Sequence, residues 1–264
     1  MEEVEQVEKI EKEKCVGQFR NLMKGNDILK YVPSNDDYLL RFLYTTSFDV
    51  IEAFKLMKLH YEFMLECPEW FTKDGPLSRK YIIEKNIRVL TPYRDRDGRQ
   101  IYIIKTGNLD PSKMELFDVV GIDDCWVEFL ADDLNFRQKG LCVIVDIANL
   151  TWRMYKWCTP YLTRTFMRKI NTWPIKEYRI HVVNTNFIAN SIIKIIWPFV
   201  NEHLKKVIKF HFDDWESLHE YINPNELPPE YRGSAVIDYK ECYRNLFKKN
   251  DEIVNNFRTY RNVM

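Results

Sequence analysis

Glycine is scarce. Eight glycines among 264 residues leave little material for the glycine-rich turns that cradle phosphates, and neither G-x-x-x-x-G-K-[S/T] nor G-x-G-x-x-G occurs. G-x-S-x-G, the turn that presents a nucleophilic serine, is missing too. Net charge is also lacking. With 39 Lys and Arg against 39 Asp and Glu, the chain has none of the positive excess typical of nucleic-acid binders, and nucleic acid is not an expected partner. No apolar run reaches the roughly 20 residues of a membrane span. The longest nearly apolar stretch, 192–200, is interrupted by Lys194 and Pro198. The opening Met1-Glu2-Glu3-Val4-Glu5 is acidic, without the basic end and apolar stretch of a secretory signal. A soluble, cytoplasmic chain is therefore expected.

Six cysteines, at 15, 67, 125, 142, 158 and 242, form no C-x-x-C and have no histidine at metal-ligand spacing. They read as free, structural thiols, with no metal and no cofactor expected. The five histidines form no H-E-x-x-H; His181 and His211 alternate with apolar residues and read as core or edge groups. Asp95-Arg96-Asp97-Gly98-Arg99 has too few carboxylates for a calcium loop and reads as a turn. Carboxylates are plentiful, but no catalytic pair emerges. No catalytic residue is assigned, and the chain is not expected to be an enzyme.

What is present is core-forming material: 45% hydrophobic residues, with 15 Tyr, 16 Phe and 7 Trp, enough to exclude global disorder. Ser34-Asn35-Asp36-Asp37 is a helix-start signal, and Ile51, Phe54, Met57, Tyr61 and Met64 recur at helical spacing. A linker helix is expected at 78–86, then a strand at 100–104. Beyond it strands at 141–146, 178–183 and 207–212 alternate with helices at 113–137, 160–170 and 187–197. That alternation predicts an α/β layer with parallel pairing. The expected division is a helical unit over 1–90, an α/β unit over 91–239 and a helical tail over 240–264.

Two physical features stand out. Between Trp152 and Lys209 there are eleven basic residues and two acidic ones, a local +9 in a neutral chain. A solvated basic face is one reading; an anionic partner such as a charged bilayer, which attracts each nearby Lys or Arg by about 1 kcal/mol, is the other. Within that segment the helix around Phe187–Val200 is apolar nearly all round from Ile192 onward. It is either a central buried helix or a lid with one face over an apolar pocket and the other exposed on opening.

Taken in order, several blocks resemble the CRAL-TRIO lipid-binding proteins, in the branch of α-tocopherol transfer protein, cellular retinaldehyde-binding protein and the clavesins. The blocks are Asp36–Leu43, Phe48-Asp49-Val50, Asp97-Gly98-Arg99, Asp110-Pro111, Gly140–Asp146, Thr159-Pro160, Trp173-Pro174, Ile180–Asn184, Pro198-Phe199 and Leu227–Gly233. The resemblance runs from about Ser34 to Tyr239. It implies a small all-α N-terminal domain followed by an α/β domain whose mostly parallel sheet encloses an apolar cavity under a mobile gate helix, here about Asn186–Val200. It also implies a carrier that extracts a hydrophobic small molecule from one membrane and releases it at another. Burying roughly 500 Å² of apolar ligand at about 25 cal/mol per Å² gains on the order of 12 kcal/mol before association costs.

Mapped onto this chain, the resemblance places the ligand walls at Val120, Val127, Leu141, Val143, Val145, Trp152, Phe166, Ile170, Ile180 and Val182, with Ile188, Ile192, Ile195 and Phe199 from the gate. Ordinary core packing uses the same side chains. Asp123 falls where relatives place a small polar lining residue; it either meets a ligand hydroxyl or faces solvent, and solvent is the expectation. Some relatives hold phosphoinositide headgroups beside the gate. The corresponding cations here are Lys176, Arg179, His203, Lys205 and Lys206, but Tyr178 and Val207 replace basic positions. A general anionic surface is the better expectation than a phosphoinositide pocket. A monomer, transiently peripheral on membranes, completes the reading.

Overall fold

The computed structural model describes residues 2–261. Helices α1 (Glu2–Lys24), α2 (Asp36–Thr45) and α3 (Val50–Glu66) form the N-terminal unit. Each of the latter two starts where a side chain satisfies orphan amides: Asn35 accepts from the Tyr38 amide, and Asp49 from those of Ile51 and Glu52. Their apolar faces close a core of Phe19, Leu39, Phe42, Met57 and Phe63. A short helix, α4 (Lys80–Ile83), leads to strand β1 (Arg88–Arg94), which the sequence reading did not anticipate. Its Thr-Pro-Tyr interior breaks clean alternation, and the bulge between Leu90 and Arg94 shows the irregularity.

The α/β unit continues with β2 (Gln100–Lys105), α5 (Leu116–Leu130), α6 (Leu134–Lys139), β3 (Leu141–Asp146), α7 (Pro160–Thr172), β4 (Tyr178–Val183), α8 (Phe187–Ile196), α9 (Glu202–Val207), β5 (Ile208–Phe212) and α10 (Trp215–His219). The helix expected over 113–137 is two: Asp133 caps α6 by accepting from the Phe136 amide, ending the continuous run. Gly140 turns α6 into β3 at φ +83°, where a Cβ would stand 2.1 Å from the Glu177 carbonyl oxygen.

The strand order is β1-β2-β3-β4-β5, with β1 antiparallel to β2 and the remaining pairs parallel. Sequential parallel strands joined by right-handed crossovers place their helices on one face. That inner face packs against α5 and α8. The outer face carries Ile101, Ile103, Cys142, Ile144 and Val183, covered by Leu218, Ile222, Leu227 and Tyr231 from the segment after β5.

Helices α11 (Tyr239–Lys248) and α12 (Asn250–Arg261) are not a detached tail. Tyr260 stacks on Tyr38 with ring centres 3.8 Å apart, Asn35 Nδ2 donates to the Tyr260 hydroxyl at 2.7 Å, and Asn256 Nδ2 donates to Glu128 at 2.8 Å. Helix α12 thus clamps the N-terminal unit to α5.

Candidate functional site

The period of two along each strand, with the observed register, aligns Tyr102, Val143 and Ile180 in one row of the inner face. Ile208 extends that row onto β5, and Phe210 follows opposite Val182. Interior strands beneath a helical layer are ordinarily sealed. Leu141, Val143 and Val182 are. Val145, Tyr178, Ile180, Ile208 and Phe210 keep part of their surface accessible while touching the same apolar cluster. The helices opposite behave alike: Val127 on α5 and Ile188, Ile193 and Ile196 on α8 are half-buried against that cluster. The helical layer therefore leaves apolar surface partly uncovered over β3, β4 and the edge strand β5, here called the recess.

Helix α8 has two sides. Ala189 and Ile192 are buried toward the sheet, whereas Phe187 is 85% exposed and Ile195 37%. Its start is held by Asn186, which accepts from the Ala189 amide at 2.7 Å and donates to the Leu150 carbonyl at 3.2 Å. Asn184, just before it, adopts φ +59° and donates to Asp146 at 2.7 Å. At the far end Phe199 lies under the Arg164 guanidinium, 4.7 Å from the ring centre.

The expected wall residues Val127, Leu141, Val143, Val145, Ile180, Val182, Ile188 and Ile192 come together in this cluster. Val120 and Phe166 do not: both pack into the N-terminal core, where Phe166 faces Trp70 at 6.3 Å. Their helical positions point across the domain boundary, which periodicity alone does not reveal. Trp152 is 69% exposed and belongs to the outside of the molecule. Ile170 is half-buried on α7. Ile208 and Phe210 were not among the expected wall residues, although the alternation of β5 already put them on the face of Ile180 and Val182.

Asp123 reverses its expectation of solvent. It is 4% exposed, accepting at Oδ1 from Arg88 Nε at 2.8 Å and from the Tyr102 hydroxyl at 2.6 Å. Burial pushes its carboxyl upward, against the pull of Arg88 and Tyr102. The local sequence concealed this because Arg88 sits on the unanticipated β1. Asp124 next to it faces the other way, to Lys169 and Arg261.

The basic segment is less cationic outside than its sequence. Lys169 is wholly interior. Arg168 pairs with Glu66 at 2.8 Å, Arg179 with Glu177 at 3.6 Å and Lys205 with Glu202 at 2.8 Å. Arg179 lies on the outer sheet face over Tyr221. Lys176 donates to Ser47 at 2.6 Å. Among the described residues, Lys176, His203 and Lys206, together with Arg164 and Lys194 near α8, have no acidic partner. A cavity of about 50 Å³, between Arg41, His60, Glu128 and α12, has room for a few waters and not for a lipid.

Comparison with known proteins is consistent with this layout. The CRAL/TRIO domain matches residues 84–233. Clavesin-1 of Xenopus laevis is 25% identical over 223 residues, spanning 83% of this chain and 67% of its own length. Clavesin-2 of Homo sapiens is 25% identical over 221 residues, with 83% and 68% covered. For Clavesin-1 of Rattus norvegicus the share is 63%, so the chain spans about two thirds of the length of these relatives. The crystal structure of Sfh5 superposes with a TM-score of 0.54 at 13% identity, over 93% of this chain and 98% of that one, a likeness of fold. A helical unit followed by a five-stranded, mostly parallel sheet, with the family domain matched from the start of that sheet to its outer cover, places the chain in the CRAL/TRIO domain family.

Proposed function

We propose that this protein is a cytosolic, non-enzymatic carrier that holds a hydrophobic small molecule between the inner sheet face and α8 and passes it between membranes. The observation that carries the reading is the group of half-covered apolar side chains on the inner sheet face, Val145 and Ile180 on the interior strands β3 and β4 and Ile208 and Phe210 on the edge strand β5, beneath α8. Contiguous apolar surface of that kind, larger than scattered exposed side chains, marks a ligand-binding groove. Tocopherol-, retinoid-, carotenoid- and other isoprenoid-like molecules fit the lining chemistry.

Release requires a competing apolar phase, and α8 is suited to meet one as a gate. Phe187 stands out from its start and Lys194 is exposed two turns further on, while Trp152 and Tyr161 are exposed on other segments, Tyr161 one turn before Arg164 on α7. Apolar groups ringed by cations favour an anionic bilayer surface. Exchange of a phospholipid or phosphoinositide is the less favoured alternative, because Arg179 and Lys205 are already engaged with acids.

The reading is tested in two steps. Solvent extraction of the purified monomer followed by mass spectrometry should yield a stoichiometric apolar molecule. Vesicle-to-vesicle transfer of that molecule should slow severalfold in Phe187→Asp. An empty extract together with no transfer of any offered isoprenoid would end the carrier reading.

A further inference from the structure

The recess borders a polar cluster that apolar binding alone leaves unused. Arg88, Tyr102 and Asp123 are 7%, 5% and 4% exposed, and their two hydrogen bonds both end on Asp123 Oδ1. Among the described residues, Asp123 Oδ2, Arg88 Nη1 and the Tyr178 hydroxyl are buried without a hydrogen-bond partner. Trp126, three residues after Asp123 and therefore on the same side of α5, leaves its Nε1 in the same condition. Buried polar atoms are nearly always paired, and several orphans around one interior spot call for an occupant. The Tyr178 ring is only half-buried and borders the recess.

The orphans are of both kinds: one acceptor, Asp123 Oδ2, and donors at Arg88 Nη1, the Tyr178 hydroxyl and Trp126 Nε1. We propose that this cluster reads the head group of the ligand, and that the ligand is an apolar molecule ending in an alcohol or phenol. Its O–H donates to Asp123 Oδ2, and its oxygen accepts from the Tyr178 hydroxyl. A hydrocarbon satisfies none of these atoms. An aldehyde, ketone or ether accepts but cannot donate, leaving the Asp123 oxygen bare. A carboxylate brings a second negative charge beside Asp123. This inference rests on the carrier reading of the same recess and names the class of its cargo. The charge of Asp123 also raises the Tyr178 phenol, adding to the effect of burial, as expected for neighbours.

The test uses the full chain freed of endogenous lipid. Binding of diphenylhexatriene, an apolar fluorophore with no polar head, reports the recess itself. Phytanol, phytane and phytanic acid, which share one branched skeleton, then compete for it. Phytanol should displace the fluorophore about tenfold more strongly than phytane, and phytanic acid no better than phytane. In Tyr178→Phe and Asp123→Asn the preference for phytanol over phytane, measured against each variant's own fluorophore affinity, should shrink to about twofold. Tyr178→Phe removes a single hydroxyl, so it serves if the Asp123 variant does not fold. Equal competition by phytanol and phytane in the wild type, or an undiminished preference in Tyr178→Phe, overturns the head-group assignment and leaves the carrier reading standing. No fluorophore binding at all overturns both.

Discussion

Lys169 Nζ lies 2.8 Å from Asp124 Oδ1, and neither side chain is exposed to solvent. Asp124 also meets Arg261 Nη1 at 3.0 Å, and Lys169 donates to the Trp70 carbonyl. One carboxylate thereby joins α7, α5 and α12, with the linker after α3 tied in. Burial pulls the Lys169 ammonium below its ordinary value; burial acts the other way on Asp124, but Lys169 and Arg261 hold its carboxyl below the usual range.

Lys169→Met should lower stability to urea by about 3 kcal/mol, because removing one partner strands a buried charge. The double variant Lys169→Met with Asp124→Leu should recover only part of that loss, because it leaves Arg261 without its carboxylate. A single variant within 1 kcal/mol of wild type, on the order of ordinary surface changes, would contradict the structural role given to this pair.

Acid should unfold the protein through its histidines before its carboxylates. His60 is pulled down to about 4 and His181 to about 3, in both cases chiefly by burial. An unfolded histidine takes up its proton near pH 6.5. As pH falls from about 6.5 toward 4 the unfolded chain binds more protons than the folded one, so the stability present above that range is lost. Each buried histidine should remove about 1–3 kcal/mol across this window. Asp124, held low, gives up its contribution only at more acidic pH. His60→Gln keeps a donor for the Thr172 carbonyl, which His60 Nδ1 meets at 3.1 Å, and should flatten the pH dependence of urea midpoints. An unchanged slope would show that His60 does not titrate on unfolding as argued.

Four of the five strands and the main helices were legible in the sequence because each carries its own period: Leu141–Val145 is a continuous apolar run, and α3 keeps its i, i+3, i+4 stripe. The site was only half legible. Ile180, Val182 and Val145 follow from strand alternation, but Val120 and Phe166 sit on helices that serve two cores at once, and periodicity does not say which core receives a given residue. Asp123 and Lys169 failed for a related reason. A charged residue reads as solvent-facing until its partner is known, and their partners Arg88, 35 residues away, and Asp124, on another helix, are tertiary facts. The same blindness inflated the basic face, several of whose cations turn out to be paired or interior.

Membrane contact should depend on exposed aromatics more than on the total of basic residues. Trp152 and Phe187 are 69% and 85% exposed, so replacing either with Asp should leave folding intact, since surface changes seldom exceed about 0.5 kcal/mol. Each should weaken sedimentation with anionic vesicles about tenfold, by removing a buried ring and adding a like charge. Raising salt should weaken wild-type binding as well. Full binding by both variants would move the docking surface away from α8 and the segment around Trp152.

In the proposed gate, the contact between Arg164 and Phe199 should set how readily α8 moves. The guanidinium of α7 rests 4.7 Å from the ring centre of Phe199, and no carboxylate among the described residues competes for it. A cation over an aromatic face at an exposed site is worth about 0.5–1 kcal/mol. If α8 swings as one piece about Asn184, that contact breaks on opening while the Asn186 cap stays intact. Arg164→Gln should therefore speed release of a bound apolar fluorophore about two- to fivefold, with little change in overall stability. Arg164→Lys, retaining charge without the flat stacking surface, should fall between the two. The measurement is stopped-flow loss of fluorescence on mixing loaded protein with excess neutral vesicles, which keeps lipid electrostatics out of the comparison. Release rates identical in all three proteins would show that opening does not separate α8 from α7 at this contact.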